Sequence, residues 1–306
     1  MVVGPSPTGG ATIFKKGLIS ERSVSTRVLV PVLVQNVDKA LAEFWEYCVV
    51  AERLTERVSG DYRQIAKRLL KFANGMVSEK TIRDYLATYL GRAPKTYNNQ
   101  LDGLRAFIGR YLKRSDLIKG YKKAYQPQDY QPELPTKEQL RKGFYALTSE
   151  LERSLYLMYA TAGLRRSEAL GLRKNPDVDF KLRCIRSKHD TRTKKAGVTF
   201  YNEECEEHLQ KYLSSRNDSN ERVFVIGSRR FRDIWDKASE ASGFRITPQV
   251  LRVWHSTELG ELGVPDRYVD VFQGRAPKSV LGKYYTGKDL LRLKRIYDKA
   301  ELKVLS

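Results

Sequence analysis

Arginines stand at turns and helix starts in the second half of this chain, and a pair of tyrosines follows the last of them. Arg165 and Arg166 come just after Gly163 in TAGLRRSEALGL, Arg252 sits in the helix-patterned run TPQVLRVWHSTELGELGV, and Arg275 follows Gly274 in FQGRAPKSVLGKYYT, ten positions before Tyr285. A guanidinium is a planar fork of N–H donors that keeps its charge at any working pH, so it is suited to gripping a phosphate. A tyrosine hydroxyl is a nucleophile once deprotonated. Its unperturbed pKa of about 10 keeps it neutral near pH 7, so attack needs proton removal and a positive surround. Taken singly, each arginine reads better as a surface residue at a helix start; only the set carries an argument.

The chain that must position them has 306 residues, with 56 Lys and Arg against 36 Asp and Glu, a formal net charge of +20, and a hydrophobic fraction of 41%. That length holds two ordinary domains, each with its own core. The basic residues are spread through almost every segment, which suits a protein whose inner surface faces a polyanion, either an enzyme acting on nucleic acid or a protein that only coats it. Cys48, Cys184 and Cys205 are odd in number and lack CxxC spacing, which argues against a disulfide framework or zinc knuckle and for a reducing, intracellular setting. His189, His208 and His255 have no neighbouring ligand at a metal-binding spacing, so no metal is expected. No apolar run reaches bilayer length and no signal-peptide pattern opens the chain, so the expectation is a soluble, cytoplasmic protein with no membrane partner.

Residues 1–35 open with GPSPTGG and continue into VLVPVLV, a composition that predicts a flexible start and one short strand. Residues 36–125 show helical patterns after Asn36, from Tyr62 to Phe72, after Ser78, and from Pro94 to about Arg114. This helical module carries Arg63, Lys67, Lys95 and Lys113, which as a set suit straddling a DNA backbone, while each taken singly reads better as part of a solvated helical face. Residues 126–135 hold three prolines and read as an extended linker. From 136 to 306 a second domain begins with the capping box of Thr136 and Gln139, continues with a helix from Ser149 to Gly163, and then turns β-rich. Val178–Arg186 and Gly197–Tyr201 predict a hairpin with a charged tip, and Val223–Ile226 a brief strand. Helices over Glu203–Leu213 and Arg229–Glu240, several shorter ones and a tail helix from Asp289 to Leu302 complete a mainly α fold with a small β element, an α+β class. His208, in EECEEHLQ, reads as a helix-surface residue, and His255, three residues after Arg252, as a packed or surface one.

TAGLRRSEALGL resembles the first arginine box of the tyrosine recombinases, the phage-integrase family. TPQVLRVWHSTELGELGV resembles its second box, HxLR, and FQGRAPKSVLGKYYT its terminal segment, in which LGH precedes the nucleophilic tyrosine. The resemblance covers about residues 136–286, with the three boxes in the family's order. Gln249 stands where most members have histidine, and Arg275 where they have histidine or tryptophan. FQGRAPKSVL followed by tyrosine and threonine is most similar to archaeal integrases of fusellovirus and plasmid type.

The resemblance implies a two-domain architecture, a helical core-binding domain followed by a catalytic domain, and a site-specific DNA recombinase or integrase. Arg165 and Arg252 match the two family arginines, and Arg275 supplies a third donor to a non-bridging phosphate oxygen. Lys188 matches the hairpin lysine that protonates the departing 5′ oxygen, with Lys194 and Lys195 as rivals. Glu168 matches the acidic position and orients Arg165. Tyr285, directly before Thr286, matches the nucleophile that forms a 3′-phosphotyrosine, with Tyr284 as the alternative. An amide does not titrate, so Gln249 leaves the base unassigned. The partner implied is double-stranded DNA, held by a homotetramer on two duplexes, and no cofactor is needed because the phosphotyrosine ester retains the bond energy. A type IB topoisomerase and a DNA-binding relative that does not cut remain the alternatives.

Overall fold

The structure, a computed structural model, describes residues 30–127, 133–186, 197–275 and 289–306. The expected flexible start up to residue 29 and the middle of the proline-rich linker lie outside the described residues. The chain divides into two compact units, Met1–Tyr130 and Gln131–Ser306. Among the described residues helices dominate both, as the periodicity predicts, with one small antiparallel sheet in each.

In the first unit Asn36 caps α1 (Val37–Val50), its side chain accepting from the Lys39 N–H at 3.0 Å. α2 (Glu56–Phe72) begins at its Thr55 cap and not near Tyr62. Ser59 fills a buried position in its early turns without an apolar side chain, so the hydrophobic pattern starts later than the helix does. Ser78 caps α3 (Glu79–Ala87), and Pro94 opens α4 (Pro94–Leu104), which continues as a π-helical stretch over Arg105–Tyr111. Phe44 meets Phe107 edge-on at 5.0 Å between ring centroids, and Leu69, Leu101 and Ile108 close the core around them. The expected strand is β1 (Val32–Leu33), which pairs antiparallel with β2 (Met76–Val77).

In the second unit Thr136 and Gln139 form the expected capping box at the start of α5 (Lys137–Tyr145). α6 (Glu150–Ala162), capped by Ser149, is buried on all sides from Ser154 to Ala162. It is therefore the central post, and α8 (Glu203–Ser214) and α10 (Pro248–Glu261) pack on it while α9 (Ser228–Ser242) lies on α5. Tyr156 and Tyr159 meet Trp235 of α9 at 6.1 and 5.4 Å. The short helices α7 (Arg166–Gly171) and α11 (Asp266–Phe272) sit at the ends of longer ones.

Two strand expectations need correction. Val178–Arg186 is not one strand: it folds back as β3 (Val178–Asp179) and β4 (Cys184–Arg186), and β4 pairs antiparallel with β5 (Val198–Phe200) as the expected hairpin, completing a three-stranded sheet in the order β3-β4-β5. The extra turn is local. Asp179 Oδ1 accepts from the Leu182 N–H at 3.1 Å, and Arg183 takes a left-handed φ of 50°. Val223–Ile226 forms no strand: the extended segment bridged next to it, at Arg173, passes straight into a turn at 174–177. A single bridge between Arg173 and Arg222 results. The tail helix expected over Asp289–Leu302 is α12 (Leu290–Lys299), which buries Leu293 and Tyr297 in its own unit, and Glu204 accepts from the N–H groups of Val304 and Leu305 at 2.8 and 3.0 Å. Among the described residues no helix is long and apolar enough to cross a membrane.

Candidate active site

α6 stops at Gly163, whose left-handed φ of 61° turns the chain and frees its carbonyl. Two residues later Arg165 occupies the extended position before α7, where its backbone N–H and guanidinium both meet one carboxylate. Glu168 Oε2 accepts from the Arg165 N–H at 2.7 Å, and Oε1 accepts from Nη1 at 2.6 Å. Glu168 therefore orients Arg165 by geometry, the role the family resemblance implies.

Arg252 lies one turn into α10, which starts with Thr247 as cap and Pro248 in its first turn. Its side chain is buried, at 6% exposure. Nη1 donates to the Gly163 carbonyl and Nη2 to the Gln273 carbonyl. Glu168 Oε2 lies 3.7 Å from Nη1, so one carboxylate stands between two arginines. Burial pulls the Arg252 guanidinium down to about 10, with Arg165 and Arg275 pushing the same way and Glu168 opposing them. Even so lowered, it stays charged at neutral pH. Arg275 is half exposed, its Nη1 3.3 Å from Asp270 Oδ1.

Gln249 is exposed at the start of α10, and with Arg165, Arg166, Trp235 and Arg245 it lines a cleft of about 420 Å³. The structure thus brings together Arg165, Glu168, Arg252 and Gln249, with Arg275 near enough to act on Arg252. Lys188, Lys194, Lys195, Tyr284 and Tyr285 lie outside the described residues. What is described of their surroundings is a close approach: a Cβ on Gly197, at the foot of β5, would stand 2.9 Å from the Gly274 Cα, so the strand after the lysine segment touches the turn before Arg275. In the first unit Arg63, Lys67, Lys95 and Lys113 are all exposed, and Arg63 and Lys67 share one face of α2 with the spacing of a helical turn.

Two polar residues beside the arginines were not singled out as functional by the sequence. His255 is fully buried, the packed alternative of its two readings, and Gln273 is 1% exposed; both lie against Arg252. The signal for His255 was its place on the same helical face as Arg252, and for Gln273 only its place beside the glycine turn. His208 corrects its surface reading: it is half-buried, with Nδ1 2.7 Å from Glu150 Oε2 and its ring edge-on to Phe144 at 5.1 Å. An acidic sequence context does not show that α6 lies behind the residue.

A cluster of three cations, one fixed by two backbone carbonyls and two sharing a carboxylate, is preorganised for a bound phosphate and for the added negative charge of a pentacoordinate state. Residues 137–290, half of the chain, match the phage integrase family, and the chain belongs to it. The tyrosine recombinase XerA of Thermococcus onnurineus (strain NA1) is 28% identical over 184 residues, a match that spans 56% of this chain and 64% of that relative. Among solved structures, a lambda integrase dimer bound to a COC′ core site shares the fold with a TM-score of 0.61 and 13% identity, over 82% of this chain and 77% of that one. The Tn1549 transposon integrase in complex with circular intermediate DNA does so with a TM-score of 0.55 and 16% identity, over 83% and 97%.

Proposed function

We propose that this chain is a site-specific DNA recombinase that cuts and rejoins DNA through a 3′-phosphotyrosine, serving integration of a viral or plasmid element of archaeal type. The observation that carries the reading is the gathering of Arg165 and Arg252 on the one Glu168 carboxylate, with Arg275 near enough to act on Arg252. Arg252 and Arg165 grip the non-bridging oxygens of the scissile phosphate and Arg275 adds a donor as negative charge grows. Tyr285 Oη bonds to phosphorus, and the bond from phosphorus to the 5′ oxygen breaks. Lys188 gives that oxygen its proton. Gln249 does not titrate, so the phenolic proton passes to solvent. Attack by the 5′ hydroxyl of a second duplex reverses the step, and no cofactor enters.

In this reading the first unit clamps the duplex through Arg63, Lys67, Lys95 and Lys113, and four protomers hold two duplexes. The protein then acts inside the cell, where its DNA is. The test uses a pool of nicked duplexes of randomised sequence, in which cleavage releases a short strand and strands the enzyme on DNA. Wild type forms a covalent adduct that survives denaturing electrophoresis, and the trapped sequences reveal the site. Tyr285→Phe forms none, while Tyr284→Phe does. Absence of adduct from wild type refutes the recombinase reading, and rapid relaxation of a site-free supercoiled plasmid assigns the topoisomerase reading in its place.

A further inference from the structure

Arg252 is fixed by two carbonyls from distant parts of the chain, and a buried polar pair touches both places. Gln273 Nε2 donates to the Arg252 carbonyl at 2.7 Å, while the Gln273 carbonyl accepts from Arg252 Nη2. The two residues thus bind each other reciprocally, side chain to backbone in both directions. That clasp ties α10 to the turn after α11, two residues before Arg275. Gln273 Nε2 also lies 3.3 Å from His255 Nδ1. The same Nδ1 edge of the imidazole also fills the space beside Gly163: a Cβ there would fall 2.5 Å from Nδ1 and 2.8 Å from Cε1. The Gly163 carbonyl is the acceptor for Arg252 Nη1. His255 therefore spans the gap between the two carbonyls that hold the guanidinium.

The hydrogen-bond roles follow from chemistry. Gln273 must present its amide NH₂ to the Arg252 carbonyl, since its own oxygen would face another acceptor there. The same NH₂ meets His255 Nδ1, which makes that nitrogen the acceptor and puts the ring proton on Nε2. Neither Nε2 nor Gln273 Oε1, both buried, makes a hydrogen bond of good geometry, although the Thr161 carbonyl is near enough to the ring to favour its protonated form. An arrangement that leaves two buried polar atoms poorly satisfied costs stability. An apolar pair of the same shape would pack here without that cost.

We infer that Gln273 and His255 are positioning residues for the recombinase site, a strut that sets where the Arg252 guanidinium and the Arg275 turn stand relative to the bound phosphate. This inference rests on the reading that Arg252 grips the scissile phosphate. It goes beyond that reading by assigning a role to two residues that do not themselves reach the DNA.

The test separates positioning from folding by a substitution that stabilises. In Gln273→Met combined with His255→Phe, apolar side chains of similar volume replace the pair and remove both poorly satisfied atoms. This double variant melts at or above the wild-type temperature and binds the duplex recovered by trapping with unchanged affinity. Its cleavage rate at saturating DNA nevertheless falls by about 10- to 100-fold, the scale of a misplaced catalytic group. A duplex with a neutral methylphosphonate at the scissile position narrows the deficit, because one charge less has to be met by the arginines. A merely structural role leaves the methylphosphonate ratio at its wild-type value. Gln273→Glu serves as a second variant: it puts a carboxylate beside the Arg252 carbonyl and slows cleavage at least as much. Cleavage by the folded double variant within about 3-fold of wild type overturns the inference. If Arg252→Ala also cleaves normally, the recombinase reading of the site fails instead, so the two failures are distinct.

Discussion

Glu168→Gln is a one-atom change at the carboxylate that stands between two arginines. The carboxylate lies 2.6 Å from Arg165 Nη1 and 3.7 Å from Arg252 Nη1, with side-chain exposures of 10% for Glu168, 22% for Arg165 and 6% for Arg252. At an effective dielectric of about 20, opposite charges at the longer distance attract by about 4 to 5 kcal/mol. Stripping the partner from a buried ion costs about 3 to 5 kcal/mol in practice. Arg165 adds little, since solvent reaches it and exposed pairs contribute about 1 kcal/mol or less. The variant should therefore lose about 3 to 5 kcal/mol, a fall in melting temperature of roughly 6 to 20 °C for a domain of this size. Melting followed by near-ultraviolet circular dichroism measures it, without and with saturating duplex DNA. Bound phosphate restores a negative charge beside the same arginines, so DNA narrows the gap between the variant and wild type. A variant that melts within about 2 °C of wild type without DNA refutes the claim that Glu168 balances the Arg252 charge.

Burial, seconded by Arg252 and Arg275, holds His255 down to about 3, against the opposing pull of the Thr161 carbonyl. A histidine lowered on folding binds its proton more readily in the unfolded chain. Its contribution is complete above an unfolded pKa of about 6.5 and is lost below it by about 1.4 kcal/mol per pH unit. Urea unfolding at pH 7.5 and 5.0 should show a loss about 2 kcal/mol larger for wild type than for His255→Phe, and equal losses would contradict the assignment. Gly163→Ala forces a Cβ to 2.5 Å from the His255 ring at a φ of 61°. Left-handed strain and overpacking together should cost about 2 to 5 kcal/mol in urea unfolding, and a neutral outcome would show that the turn is not held as described. Replacing both Arg63 and Lys67 by alanine should lower the salt dependence of duplex binding by about two phosphate contacts, near 0.9 in logarithmic slope for each, with no change in sequence preference. An unchanged slope removes α2 from the DNA surface.

Much of this architecture was legible because its signals are local. Asn36, Ser78, Thr136 and Ser149 cap helices through side-chain bonds that span three residues, so a cap and the pattern after it are read together. The arginines of the site were legible through their resemblance to the family's boxes, and Glu168 through its match to the acidic position in the first of them. The strut was not. The Gln273–His255 contact joins positions 18 apart, and the Gly163 carbonyl meets Arg252 across 89. Helical periodicity reports which face a residue occupies and says nothing about what packs on it. The sheet was misread for a related reason: β3 and β4 are two and three residues long, too short for an alternating pattern to separate them from one longer strand.

The central claim is that Tyr285 becomes joined to a DNA 3′ phosphate. Wild-type adduct from the nicked-duplex pool, digested with protease and nuclease, can be read by peptide mass spectrometry while the released strand is tested for a free 5′ hydroxyl by enzymatic phosphorylation. A nucleotide on Tyr285 and a phosphorylatable 5′ end are expected. A nucleotide on Tyr284 or any other residue, or a released strand that still carries its 5′ phosphate, would contradict it.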